Sequence, residues 1–383
     1  MFTIVDKTVQ LDFPLGHHLH CMIGQLPNHI RFDQEEYPEQ ISAQKWQRIR
    51  SVLDLVATGP GNLKKLHFLL FPEATLPVDY LDEALTIIDQ QFCVNTVTMF
   101  GMEHMPLHAF TRLVEAYADD NQEMLDAIET DRNSGEIDEL RVNWAAIVVK
   151  ESDRRMRVFF QAKSHPFAGE ESLDNHDLYH GKVFPLFHSE ATGFNFMAMI
   201  CFDYIYRTIY QSNISTVIQH ANELFFRTRQ HLDFLAILEC NPKPEHTTFR
   251  DVINGFYGEY LASAPGVRET ITVFCNSAEA TRDSLPELSA QDTFGHSSVI
   301  IHKNHKMAPR KLDEFSVDTF GGLSVCRLRF GAETRLYYFN LPVFHEFDPR
   351  TTRMPLKVHS IFAPDTSGGW QRINFSPVDT DTV

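Results

Sequence analysis

Short, continuous apolar runs, each closed off by polar or Gly/Pro-containing segments, constrain this chain more than any other feature. They include Leu19–Gly24, Leu66–Phe71, Thr96–Phe100, Trp144–Val149, Arg157–Phe160, Phe194–Cys201, Leu232–Leu238, Thr270–Cys275 and Ser298–Ile301. A strand with one wet face alternates polar and apolar residues, whereas a run without alternation suits a strand buried on both faces. Such strands need covering layers, and helix-period segments lie between several of the runs. Ile41–Ala57 places Trp46, Ile49, Val52, Leu53 and Val56 at helical spacing, and Val78–Gln90 does so with Leu81, Leu85 and Ile88. Ile205–Gln230 carries a broken version through Ile209, Ile214, Val217, Leu224 and Phe225. The alternation predicts an α/β layered domain.

The polar stretches between these segments set the organisation. Ala118–Leu140 is strongly acidic and reads as a helix followed by a surface loop, and Ser277–Gly295 reads as a loop. From about Asp348 the chain is rich in Pro, Thr, Asp and Gly, the composition of a tail that wraps the surface or is partly disordered. At 383 residues there is room for one large α/β domain with extensions, or two modest ones.

Charge and cysteine usage narrow the partners. A net charge of -17 disfavours phosphate backbones and anionic headgroups, so neither nucleic acid nor a membrane is expected as a partner. The basic residues Lys64 and Lys65, and those between His302 and Arg310, read as solvated loop charge. The six cysteines (Cys21, Cys93, Cys201, Cys240, Cys275 and Cys326) show no framework spacing, and a chain of this size does not need disulfides. The stretch MFTIVDKTVQLDF has no basic segment followed by an apolar run, so a secretory leader is not expected, and the compartment expected is the cytoplasm.

Three residues stand where an apolar run ends, the place α/β folds commonly give to functional groups. Glu73 closes LHFLLFPE, Lys163 follows RVFFQAK, and Cys201 closes NFMAMIC. A thiol attacks well only as thiolate, and a carboxylate beside it can take its proton. Attack on a carbonyl or nitrile carbon creates negative charge, for which an ammonium and a backbone N–H are suitable donors. Lys163 and the amide of Phe202 fill those places. Each residue alone reads as ordinary: a Glu in a loop, a Lys at a surface, a core thiol. The set of three is what carries the chemistry.

The flanking residues sharpen it. Phe71–Pro77 (FPEATLP) looks like the catalytic-glutamate segment of the nitrilase superfamily of carbon–nitrogen hydrolases, and Phe159–Glu171 (FFQAKSHPFAGEE) is similar to its lysine segment. Met199–Arg207 (MICFDYIYR) resembles its nucleophile segment, in which Cys, an aromatic residue and Asp follow an apolar strand. The order Glu, Lys, Cys is the family order, with separations of 90 and 38 residues. Further likeness lies in Cys21–Pro27, Thr272–Ala278 and Gly295–Lys306, so the resemblance covers about residues 17–345.

The resemblance implies a four-layer αββα sandwich of the nitrilase type over residues 1–345, with 346–383 as a C-terminal extension. It implies Glu73 as general base, Lys163 as third member and Cys201 as nucleophile, a thioester acyl-enzyme, and a homodimer or higher homo-oligomer. Many members carry a second glutamate soon after the lysine, for which Glu170 and Glu171 are the candidates. The family usually continues past Cys-aromatic-Asp with a nearby Arg and then Phe-Pro-Glu. Here Tyr204, Ile205, Tyr206 and Arg207 follow instead, in a region that shapes the pocket.

The expected activity is cleavage of a small amide or carbamoyl carbon–nitrogen bond, with no cofactor and no metal. The competing reading is a binding or regulatory module with little turnover. Acyl transfer to an amine uses the same residues. His176 and His180 have the i, i+4 spacing of a zinc helix but lie in a loop-like segment with Asp at the second position, and Gly59-Pro60-Gly61 reads as a turn.

Overall fold

Strand after strand alternates between two apolar clusters, which explains the unbroken apolar runs. A computed structural model describes residues 2–13, 19–30, 38–59, 63, 65–135, 137–165, 178–206, 212–228, 230–242, 244, 264–267, 270–282, 294–302, 315–320, 323–341 and 356–373. The chain begins with β1 (Thr3–Val9), β2 (Leu19–Gln25), β3 (Pro27–Ile30), α1 (Glu39–Thr58) and β4 (Phe68–Leu70). There follow α2 (Leu81–Gln91), β5 (Thr96–Pro106), α3 (Leu107–Ala116), α4 (Ala118–Ser134), β6 (Arg141–Lys150) and β7 (Met156–Ala162). Next come β8 (Val183–Ser189), β9 (Asn195–Ile200), α5 (Phe202–Ile205), α6 (Asn213–Phe225), β10 (Phe234–Glu239) and β11 (Ile271–Asn276). The last are β12 (Glu279–Arg282), β13 (Ser298–His302), β14 (Phe315–Phe320), β15 (Leu323–Arg329), β16 (Arg335–Leu341), β17 (Lys357–Pro364) and β18 (Trp370–Ile373).

Two eight-stranded sheets result, in the orders β18-β17-β16-β2-β4-β5-β6-β7 and β1-β8-β9-β10-β11-β13-β15-β14, with β3 and β12 paired separately. Their facing sides share one cluster. Phe68, Leu70, Val97, Met99, Ala145 and Ile147 from the first sheet meet Phe196, Ala198, Phe234, Ala236, Val273 and Val299 from the second. The intervening residues point outward. In the first sheet Leu69, Phe100, Trp144, Ala146 and Val148 pack on α1 to α4, and in the second Met197, Met199, Leu235 and Ile237 pack on α6. The layers are therefore helices, sheet, sheet, helix: a four-layer αββα sandwich. Each large side chain buried this way stabilises the fold by about 1.5–3 kcal/mol relative to exposure.

The helices follow from periodicity. In α1 the buried positions include Trp46, Ile49, Val52, Leu53 and Val56, the stripe expected from spacing. The Ile205–Gln230 pattern divides instead into one turn, α5, and then α6. Ser212 caps α6 by accepting a hydrogen bond from the Ser215 N–H. Ala118–Leu140 forms α4 as far as Ser134. Two readings need correction. Ser277–Gly295 contains β12, which pairs with β3. The tail segment contributes β17 and β18 to the first sheet, because Val358 and Phe362 bury apolar side chains there and the Trp370 indole N–H bonds Ser51 Oγ.

Strand direction positions the site. β2, β4 and β5 run parallel, and β5, β6 and β7 alternate in direction, so β4 and β7 end at the same edge. β9, β10 and β11 are also parallel. Glu73, Lys163, Cys201 and Cys240 all follow the C-terminal ends of such strands.

Candidate functional site

Glu73 lies three residues beyond β4, on a turn laid tightly against β5. The turn is tied to Gly101, whose carbonyl accepts from the N–H groups of Thr75 and Leu76 at 2.8 and 2.9 Å. A Cβ at Gly101 would sit 2.2 Å from Pro72 O and 2.4 Å from Glu73 Cα, so the approach requires glycine there. Ala74 adopts a positive φ of 54° to complete the turn. The Glu73 carboxylate is 5% exposed, and both its oxygens are engaged. Oε1 accepts from Lys163 Nζ at 2.7 Å and from Asn143 Nδ2 at 2.7 Å, and Oε2 accepts from the Cys240 N–H at 3.1 Å.

Lys163 follows β7 directly and is 1% exposed. Its N–H donates to Asn143 O at 2.8 Å, so the backbone of Asn143 holds Lys163 while its side chain holds Glu73. A buried ammonium and carboxylate in contact compensate each other's lost hydration, which neither would survive alone.

Cys201 ends β9 at a strand-to-helix turn, with φ 41° and ψ −102°. A non-glycine residue there is strained, and a sharp strand-to-helix turn is a known way to present a nucleophile at its tip. Its N–H donates to Leu238 O at 2.8 Å, and its half-buried side chain packs on the inter-sheet cluster. Phe202 opens α5, so its amide is among those a helix leaves without an internal acceptor.

Glu73 and Lys163 touch directly, and two sets of short links tie Cys201 to them. The first runs through β10, which pairs with β9 and continues into Cys240, the donor to Glu73. The second runs through Asp203. Its carboxylate accepts from the Ser164 N–H at 2.9 Å, Ser164 Oγ at 2.8 Å and the His165 N–H at 3.0 Å, joining the residues after Cys201 to those after Lys163. Asn213 reinforces this by donating to Ser164 Oγ and Asp203 O, each at 3.0 Å.

Burial pushes Asp203 up to about 7, against the opposing pull of the Lys163 charge. Glu239, one residue before Cys240, is pushed up to about 8 by burial and by the negative charge of Glu73. His165, which stacks on Tyr206, is lowered to about 4 by burial and by the neighbouring His180. The edge thus gathers a carboxylate, an ammonium and a thiol among groups whose protonation is tuned by burial.

Glu170, Glu171 and His176 lie outside the described residues. Among the described residues, no group of three or more His, Cys, Asp or Glu side chains is placed to hold a metal ion. No described helix is long and apolar enough to cross a membrane. Sequence reasoning missed Asn143, the Cys240 amide, Ser164 and Glu239. Asn143 had a signal: an amide abutting the apolar run Trp144–Val149, where a buried polar group needs a partner.

No protein-family model matches the sequence, and no curated protein matches it. Among solved structures, the chain is similar to a carbon–nitrogen hydrolase from Helicobacter pylori G27. That match has 10% identity and a TM-score of 0.44, over 82% of this chain and 90% of that one.

Proposed function

We propose that the protein is a divergent carbon–nitrogen hydrolase of the nitrilase type that cleaves a small amide or carbamoyl-type bond through a thioester on Cys201. The observation that carries this reading is the buried contact between Glu73 and Lys163, tied through Cys240 and Asp203 to a strained turn bearing Cys201.

Each group has one task. Glu73 takes the Cys201 thiol proton, and the thiolate attacks the carbonyl carbon. The tetrahedral oxyanion is met by Lys163 and the Phe202 amide, donors fixed before the charge develops. Collapse expels the amine, which takes its proton from Glu73 and leaves the acyl group on sulfur. Water, giving its proton to Glu73, attacks the thioester; collapse breaks the C–S bond and releases the acid, and the Cys201 thiolate takes the proton back from Glu73. A positioned general base contributes on the order of 10²–10⁴ in rate. Holding Glu73 between Lys163 and Asn143 fixes where that base points.

The test is turnover of a panel of small amides and carbamoyl compounds by wild-type protein and by Cys201→Ala. Hydrolysis that disappears in the variant supports the reading, and hydrolysis that survives it overturns it. No turnover by the wild type on any member favours a binding module with the same architecture.

A further inference from the structure

We propose that Lys45 and Glu103 are positioning residues for Glu73: a buried ion pair that clamps the turn carrying it. The inference rests on reading Glu73 as the base. Lys45 projects from α1 and Glu103 from β5, and both are nearly inaccessible, at 3% and 4%. The ammonium donates to Glu103 Oε1 at 2.5 Å, to Ala74 O at 2.8 Å and to His29 O at 3.3 Å. Ala74 is the positive-φ residue next to Glu73. One residue earlier, Glu73 O accepts from Asn28 Nδ2 at 2.8 Å. Two consecutive carbonyls of the turn are therefore held by side chains from β3 and α1. Glu103 is itself fixed, since its N–H donates to Leu76 O at 3.0 Å and its carbonyl accepts from the Trp144 indole at 3.0 Å.

A merely structural pair is the competing explanation, and physical chemistry separates the two. Replacing a buried ion pair with apolar residues of similar volume is often neutral or stabilising. The charge pair alone gives no stability reason for an ammonium here, whereas a turn with a positive-φ residue and a buried carbonyl that needs a donor does. Paired charges also cancel at a distance, so the pair acts on Glu73 through position.

The experiment follows the pH–rate profile of Cys201 alkylation by iodoacetamide, read by peptide mass spectrometry, beside the thermal midpoint. The proteins are wild type, Glu73→Gln, Glu103→Gln and the double variant Lys45→Met/Glu103→Leu. The account predicts that Glu73→Gln slows alkylation at neutral pH. Both pair variants should shift the profile in the same direction and slow it on the order of tenfold. The thermal midpoint of the double variant falls because Lys45→Met leaves Ala74 O and His29 O without that donor, so rates are compared well below every midpoint. Pair variants that coincide with wild type while Glu73→Gln differs overturn the inference alone. A Glu73→Gln profile identical to wild type overturns the reading of Glu73 beneath it. If the double variant does not fold, Glu103→Gln, which keeps the shape and an acceptor oxygen for Lys45 but removes the negative charge, decides by the same criterion below its own, lowered midpoint.

Discussion

Glu73 and Lys163, 90 residues apart in sequence, meet as a buried ion pair with Nζ 2.7 Å from Oε1. Two strands that end at the same edge bring them together, and Asn143, on β6 beside β7, binds both. In the proposed mechanism the pair couples stability to chemistry, and the two effects can be separated.

Lys163→Met leaves the Glu73 carboxylate buried without its ammonium. Removing one member of a buried pair costs about 3–5 kcal/mol, so urea denaturation should show a loss of that size. The double variant Lys163→Met/Glu73→Gln should recover most of the stability, because no charge is left stranded. Turnover should stay depressed in both. Recovery of turnover along with stability would mean that the pair is structural.

Gly101→Ala tests how closely the Glu73 turn lies on β5. The added Cβ meets backbone at 2.2 and 2.4 Å, which no side-chain rotation relieves. Destabilisation of about 1–3 kcal/mol is expected, with slower Cys201 alkylation. Gly135→Ala is the control, since its Cβ would meet nothing within 4 Å, and thermal melts should show it unchanged.

Glu239 gives a pH prediction. Folded, it holds its proton up to about 8, whereas in the unfolded chain it releases it near the ordinary glutamate value of about 4.3. Its contribution to stability is therefore complete below that ordinary value and is lost as pH rises through about 8. Glu239→Gln stays neutral throughout. Urea midpoints compared between pH 7 and 8 should fall for wild type, by at most about 1 kcal/mol per pH unit, and fall less for the variant. Parallel curves would show that Glu239 is ionised in the folded protein.

The layered fold was legible because burial on both faces leaves a strand no polar alternation, as in Phe234–Glu239 and Ile271–Asn276. β8 escaped notice because Pro185 interrupts it. β1 alternates like a half-exposed strand, and β17 and β18 sit in a tail whose Pro, Asp and Gly content suggests a loop. At the site, Glu73, Lys163 and Cys201 announced themselves by closing apolar runs. The contacts that hold them did not. Asn143 and Glu239 sit on strands whose neighbours explain them as sheet residues, and the Cys240 contribution is a backbone N–H, which any residue but proline would supply. The tightness of the Glu73 turn also depends on β5 lying beneath it, a long-range fact that spacing along the chain does not carry.

The central claim is that Cys201 forms a thioester, and intact-mass spectrometry during turnover of a panel of small amides tests it most directly. The account predicts a mass increase equal to the acyl group, mapped to the peptide containing Cys201 and absent from Cys201→Ala. An adduct that persists in Cys201→Ala, or maps to another residue, would contradict it.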